Sequence, residues 1–215
     1  MRIRNLLIAT AAAAAFASQA AAAVTVSVTS FFDPLLLPAD QVLVADFNDA
    51  NNPEATLLAG YSLDLNGSTV GVCEGCGGYS GTLPNNNTHY LTIPGNATAT
   101  LTSLSGFKAF SLYMGSPDTY NSIRFIGDGF DQTLTGGQLT EGNTCQQWIW
   151  GARVNFDFGG AKVNQVVLSS SSNSFEVDNF AVAAVPEPAT WAMMIMGFGL
   201  AGALLRRRQY ALARI

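Results

Sequence analysis

Apolar and polar residues alternate at period two in Val24-Thr-Val-Ser-Val28 and in Ala97-Thr-Ala-Thr-Leu-Thr102, as in strands with one buried face. Mixed apolar runs follow at 41–47, 107–114, 122–126, 148–158, 162–168 and 175–182, with another strand at 90–93. They are rich in Val, Ile, Phe and Thr, and Gly, Asn, Asp, Ser and Pro fill the breaks. This body has no stretch of helical period. Eight or more short strands with turn residues between them predict an all-β protein, an antiparallel β-sandwich of jelly-roll type. Gly115-Ser-Pro-Asp118 predicts a hairpin turn, with Pro117 fixing one dihedral and Asp118 bonding its own backbone. Asp128-Gly129 predicts a second hairpin.

Both ends break the pattern. Arg2 and Arg4 precede an alanine-rich apolar stretch, Leu6 to Phe16, and small-x-small sites at Ser18-Gln-Ala20 and Ala21-Ala-Ala23. Together they predict a signal peptide over 1–23, removed by signal peptidase. At the other end, Ala189 to Leu205 carries no charge. As a helix it would cover roughly 25 Å, enough for a thin hydrocarbon core, and a transmembrane helix is expected within 185–210. Trp191 stands at one interface, and Arg206, Arg207 and Arg208 close the other as a stop-transfer block. With those arginines in the cytoplasm, a single β-sandwich domain over 24–184 lies outside it.

The tail Pro186-Glu187-Pro188, Trp191-Ala192, the glycines at 197, 199 and 202 and the arginine run closely resembles the PEP-CTERM sorting signal of Gram-negative exoproteins, in its Trp-Ala variant. That resemblance implies presentation to exosortase at the inner membrane, cleavage near the Pro-Glu-Pro, and release to the cell surface or an exopolysaccharide matrix. In the body, the segment Phe110 to Asn121 and Phe175-Glu-Val-Asp-Asn179 look similar to an exosortase-dependent surface protein family.

Charge narrows the choices further. The whole chain carries −5, but six of its ten basic residues belong to the ends. The body holds fourteen acids and four bases, a net charge of −10. Such a surface repels phosphate backbones and excludes nucleic acid as a partner. One histidine, His89, cannot build a multi-histidine zinc site, and neither Gly-x-Ser-x-Gly nor His-Glu-x-x-His occurs. Most of the acids sit beside Gly, Asn or Pro, as turn and capping groups do, so the body is expected to be non-enzymatic.

Asp46, Asn48 and Asp49 end an early strand and Asp178 lies in the final one. Carbohydrate-binding jelly rolls often have a similar pairing, and that resemblance implies a structural calcium held by hard oxygen ligands. The alternative is that Asp46 and Asn48 cap a turn and Asp178 faces solvent. Cys73, Cys76 and Cys145 are an odd number, so one thiol stays free or pairs between molecules. Outside the cytoplasm a disulfide is expected. Chain entropy favours Cys145 closing a loop of about 70 residues with Cys73 or Cys76, while proximity favours the local pair. The expected function is a surface or matrix protein associated with exopolysaccharide or biofilm. The alternative is a secreted polysaccharide-modifying enzyme with the same delivery tag.

Overall fold

The computed structural model describes residues 23–49, 51–71, 83–140, 151–185 and 193–202. Among the described residues, eleven antiparallel strands build the body: β1 (Thr25–Phe31), β2 (Val42–Ala45), β3 (Tyr61–Asp64), β4 (Thr69–Gly71), β5 (Tyr90–Ile93), β6 (Thr98–Met114), β7 (Asn121–Gly127), β8 (Phe130–Thr135), β9 (Ala152–Asp157), β10 (Val163–Ser170) and β11 (Phe175–Ala184). One layer runs β3-β6-β10-β7-β8, using the first half of β6. The other runs β1-β9-β6-β11, using the second half of β6. There β5 and β2 share the far edge of β11, and β4 lies beyond β5. The result is an antiparallel β-sandwich of jelly-roll type, dominated by pairings distant in sequence.

Strand β6 joins the layers because it bends at Gly106. There φ is +75°, and a Cβ would stand 2.6 Å from Lys162 Cε and 3.0 Å from the Val163 carbonyl oxygen. Before the bend, Ala99 and Leu101 point into the core while Thr98, Thr100 and Thr102 alternate outward. From Ala109 onward both faces are covered. Phe110, Leu112 and Met114 enter the core, whereas Ser111 and Tyr113 join a buried polar layer. The core is aromatic across the layers: Phe125 of β7 packs on Phe156 of β9 at 5.1 Å between ring centroids and on Phe110 of β6 at 6.3 Å. Fully burying such a ring contributes about 1.5–3 kcal/mol.

On β11 the core-facing residues shift from Phe175 and Val177 to Phe180 and Val182. The register with β6 slips between Asp178 and Ala181, and Asn179 adopts φ of 51°. This bulge keeps apolar residues inward on both sides of the Asp-Asn pair. The final strand pairs with β2, Val182 opposite Val42 and Phe180 opposite Ala45, while β1 pairs with β9.

Gly115 to Asp118 does not make a hairpin. β6 ends in one layer and β7 begins in the other, with no pairing between them, so the turn is an arch across the sandwich. Turn chemistry sets a reversal of direction but not the partner that follows. The Asp128-Gly129 hairpin does form, with Gly127 opposite Phe130 and Gly129 at φ +67°. A helix occupies 193–202, exposed throughout. At ten residues it spans about 15 Å. Among the described residues no helix is long and apolar enough to cross a membrane. The remainder of the expected span lies outside them, as do the signal peptide up to residue 22, all three cysteines, Pro186, Glu187, Pro188, Trp191 and Arg206 to Arg208.

Candidate functional site

A pocket of about 430 Å³ opens at one end of the β3-β6-β10-β7-β8 layer, where β6 and β7 begin and β10 and β8 finish. Thr98, Ser122, Thr135, Ser169 and Ser170 bring hydroxyls from these strand ends, Asn96 and Asn121 bring amides, and Tyr120 brings the one aromatic ring. Antiparallel pairing places them together: Ser169 lies opposite both Thr98 and Ser122, and Ser122 opposite Thr135.

The floor is fixed by hydrogen bonds. Asn121 is fully buried, accepts a bond from Ser170 Oγ at 2.9 Å, and donates through Nδ2 to the Ser116 carbonyl at 3.3 Å. Ser122 and Ser169 hydroxyls meet at 2.7 Å, and the Ser171 N–H donates to the Tyr120 carbonyl at 3.0 Å. Asp118, on the arch, accepts from Ser116 Oγ at 2.7 Å and is hydrogen-bonded to the Tyr120 hydroxyl. Burial, followed by Asp118 and the charge of Glu176, pushes that hydroxyl up to about 12, so it remains a neutral donor. Sequence patterning missed this site because its residues come from four separated strand ends. The nearest signal was the serine run Ser169 to Ser172, more polar than a tight turn requires.

The second polar centre lies beneath the 32–41 loop. Arg153 of β9 is fully buried. Its Nη1 donates to Ser111 Oγ at 3.1 Å and to the Asn179 carbonyl at 3.0 Å, and its Nη2 donates to the Pro34 carbonyl. Burial lowers the guanidinium to about 10. Ser111 Oγ in turn donates to Gln41 Oε1 at 2.6 Å. Nearby, Asp178 is fully buried. It accepts from Asn86 Nδ2 at 2.5 Å, from its neighbour's backbone N–H at 2.7 Å and from Asn179 Nδ2 at 3.2 Å.

Of the four residues expected to hold calcium, Asp46 and Asp178 come into electrostatic range of each other, the first raising the carboxyl of the second. Asp46 also accepts from the Asn48 N–H at 3.1 Å, while Asp49 caps its own turn through the N–H groups of Asn51 and Asn52. Among the described residues no group of three or more His, Cys, Asp or Glu could hold a metal ion. Asp178 does not face solvent, and its oxygens are engaged by N–H donors as they stand. A cation would have to displace the Asn86 amide.

The PEP-CTERM protein-sorting motif is matched by residues 184–208, beginning at the last residue of β11. The chain thus carries a tag for export and exosortase-dependent surface sorting. No curated protein is similar enough in sequence to match. Among solved structures, a family 29 carbohydrate-binding module aligns at 9% identity over 69% of this chain and 98% of its own, with a TM-score of 0.39. The carbohydrate-binding module TmCBM61, in complex with β-1,4-galactotriose, aligns at 9% identity over 62% and 96%, with a TM-score of 0.34. The catalytic unit of a GH87 α-1,3-glucanase from Streptomyces thermodiastaticus aligns at 11% over 59% and 26%, with a TM-score of 0.31. At such overlaps these likenesses carry no inference about a ligand.

Proposed function

We propose that this chain is a non-enzymatic surface or matrix protein, delivered by exosortase after transient anchoring in the inner membrane, whose sandwich associates with exopolysaccharide. The observation that carries the reading is the uncharged, hydroxyl- and amide-lined pocket on a body whose final strand runs directly into the sorting motif. Pockets with a few fixed polar groups suit small polyhydroxylated ligands, and a matrix supplies them continuously. Tyr120 is the one titratable side chain in the lining. Raised to about 12, it is poorly matched to proton transfer near neutral pH, which favours holding over hydrolysis.

The test is co-sedimentation of the processed protein with the producing cell's own polysaccharide, followed by a reducing-end assay. Retention in the pellet with no new reducing ends is the expected outcome. New ends or shortened chains would establish the enzymatic alternative, and failure to sediment would remove polysaccharide as the partner.

A further inference from the structure

Among the described residues, the walls of the strand-end pocket contain no lysine, arginine or histidine. The basic residues of the same layer are directed elsewhere. Arg124 of β7 is engaged by Asp131 through two bonds, at 2.8 and 2.6 Å. Lys162 precedes β10, eight residues before Ser170 at the pocket end, roughly 26 Å along an extended strand. The charges that do act on the pocket's aromatic residue are both acidic: Asp118, bonded to its hydroxyl, and Glu176 of β11. A carboxylate, sulfate or phosphate entering here would find no cation and would meet repulsion, strengthened by a body of charge −10.

Hydroxyl groups meet the opposite reception. The hydroxyl and amide groups of the floor are already held in place by bonds to one another and to the backbone, so little ordering is required when a polyol binds. The tyrosine, with Ala97 beside it in the lining, adds apolar surface to hydroxyl and amide groups, the combination that a sugar ring matches with its C–H face and its equatorial hydroxyls. At about 430 Å³ the space lies toward the small end of ligand sites and has room for about one or two sugar rings rather than a long chain segment.

We propose that the pocket at the β6, β10, β7 and β8 strand ends is a binding site for short stretches or ends of neutral glycans, and that Asp118 and Glu176 set its selectivity against acidic sugars. This deepens the exopolysaccharide reading and rests on it. Asp118 is a positioning and selectivity residue: it orients the Tyr120 hydroxyl and supplies negative potential without lining the cavity.

The experiment uses the full-length chain purified in detergent and isothermal titration with neutral tetrasaccharides of gluco, galacto and manno configuration, alongside tetragalacturonate. At least one neutral ligand should bind, with tetragalacturonate about tenfold weaker or worse. Tyr120→Ala should lower neutral binding about tenfold or more. Ser171→Leu, at an exposed position on the rim where the fold is not at risk, should also weaken it. Asp118→Asn should narrow the gap between neutral and acidic ligands, a change that loss of packing alone would not produce. Equal or tighter binding of tetragalacturonate would overturn the selectivity. Neutral binding untouched by both Tyr120→Ala and Ser171→Leu would place the sugar elsewhere while leaving the broader reading intact. No binding of any neutral tetrasaccharide, with co-sedimentation still positive, would defeat this site alone.

Discussion

Asp178 stands where ionisation costs most, fully buried in the polar layer of the sandwich. Burial, reinforced by the charge of Asp46 beyond β2, pushes its carboxyl up to about 7. The bonds from Asn179 and Asn86 and the charge of Arg153 on β9 pull the other way. A folded-state value above the unfolded one of about 4 means that the folded chain holds a proton which the unfolded chain has released. That stabilisation is complete below about pH 4 and is lost as pH rises through 7. Urea unfolding in the presence of a chelator should therefore show a falling midpoint between pH 5 and pH 8, and Asp178→Asn should flatten the fall. Parallel pH profiles for the two proteins would refute the assignment. Arg153 is the neighbouring case. Arg153→Met would leave the Pro34 and Asn179 carbonyls without their donor, at an expected cost of about 3 kcal/mol by denaturant unfolding. The Asp178-Asn179 pair was legible in the sequence as an unusual feature of a final strand. Arg153 was not, because alternation places a charged strand residue toward solvent, and the 32–41 loop that covers it comes from more than a hundred residues earlier.

At the scale of elements, apolar patterning located most of the long strands and failed where strands are short and polar. β3 and β4 were not marked by apolar runs because Ser, Asp, Gly and Thr make up half or more of them, and they are strands through the partners they meet. β6 read as two strands with Leu104-Ser-Gly106 as a break, whereas one chain segment runs through the bend. Gly106→Ala should test that bend. Its φ of +75° and the crowding by Lys162 and Val163 predict a loss of about 1–3 kcal/mol, measured by thermal unfolding. A neutral substitution would mean that the layers do not depend on this turn.

The seam between β2 and β11 carries the calcium proposal. Asp46 lies in electrostatic range of Asp178, and a cation between them would offset their repulsion. If it binds, the unfolding midpoint should rise with free calcium, by about 2.7 kcal/mol in stability at a hundredfold excess over the dissociation constant. Asp178→Asn should blunt that response more than Asp118→Asn, which lies on the arch. Identical melts in calcium and in chelator would dismiss the cation.

For the whole molecule, the decisive relation is between the last strand and the tail. β11 lies inside its layer, with β6 on one side and β5 and β2 on the other, and is buried from Phe175 to Ala183. Exposure begins at Ala184, where the sorting motif starts. The described residues beyond Val185 are exposed and belong to no part of the core, while removing β11 would open the layer along both of its edges. Processing near Pro186 to Pro188 should be neutral to stability. A chain ending at Val185 is expected to unfold within about 1–2 °C of the full-length protein in the same detergent, since a shift of that size is worth about 0.3–1 kcal/mol for a domain of this length. A chain ending at Asn173 should not fold. Glu187→Ala should block release and leave a folded body at the inner membrane, detected as full-length protein by mass spectrometry of the membrane fraction. Surface material that keeps its C-terminus through Ile215 would contradict sorting. A large drop in midpoint on truncation at Val185 would show that the tail supports the sandwich, and the separation between a delivered body and a removable address would fail.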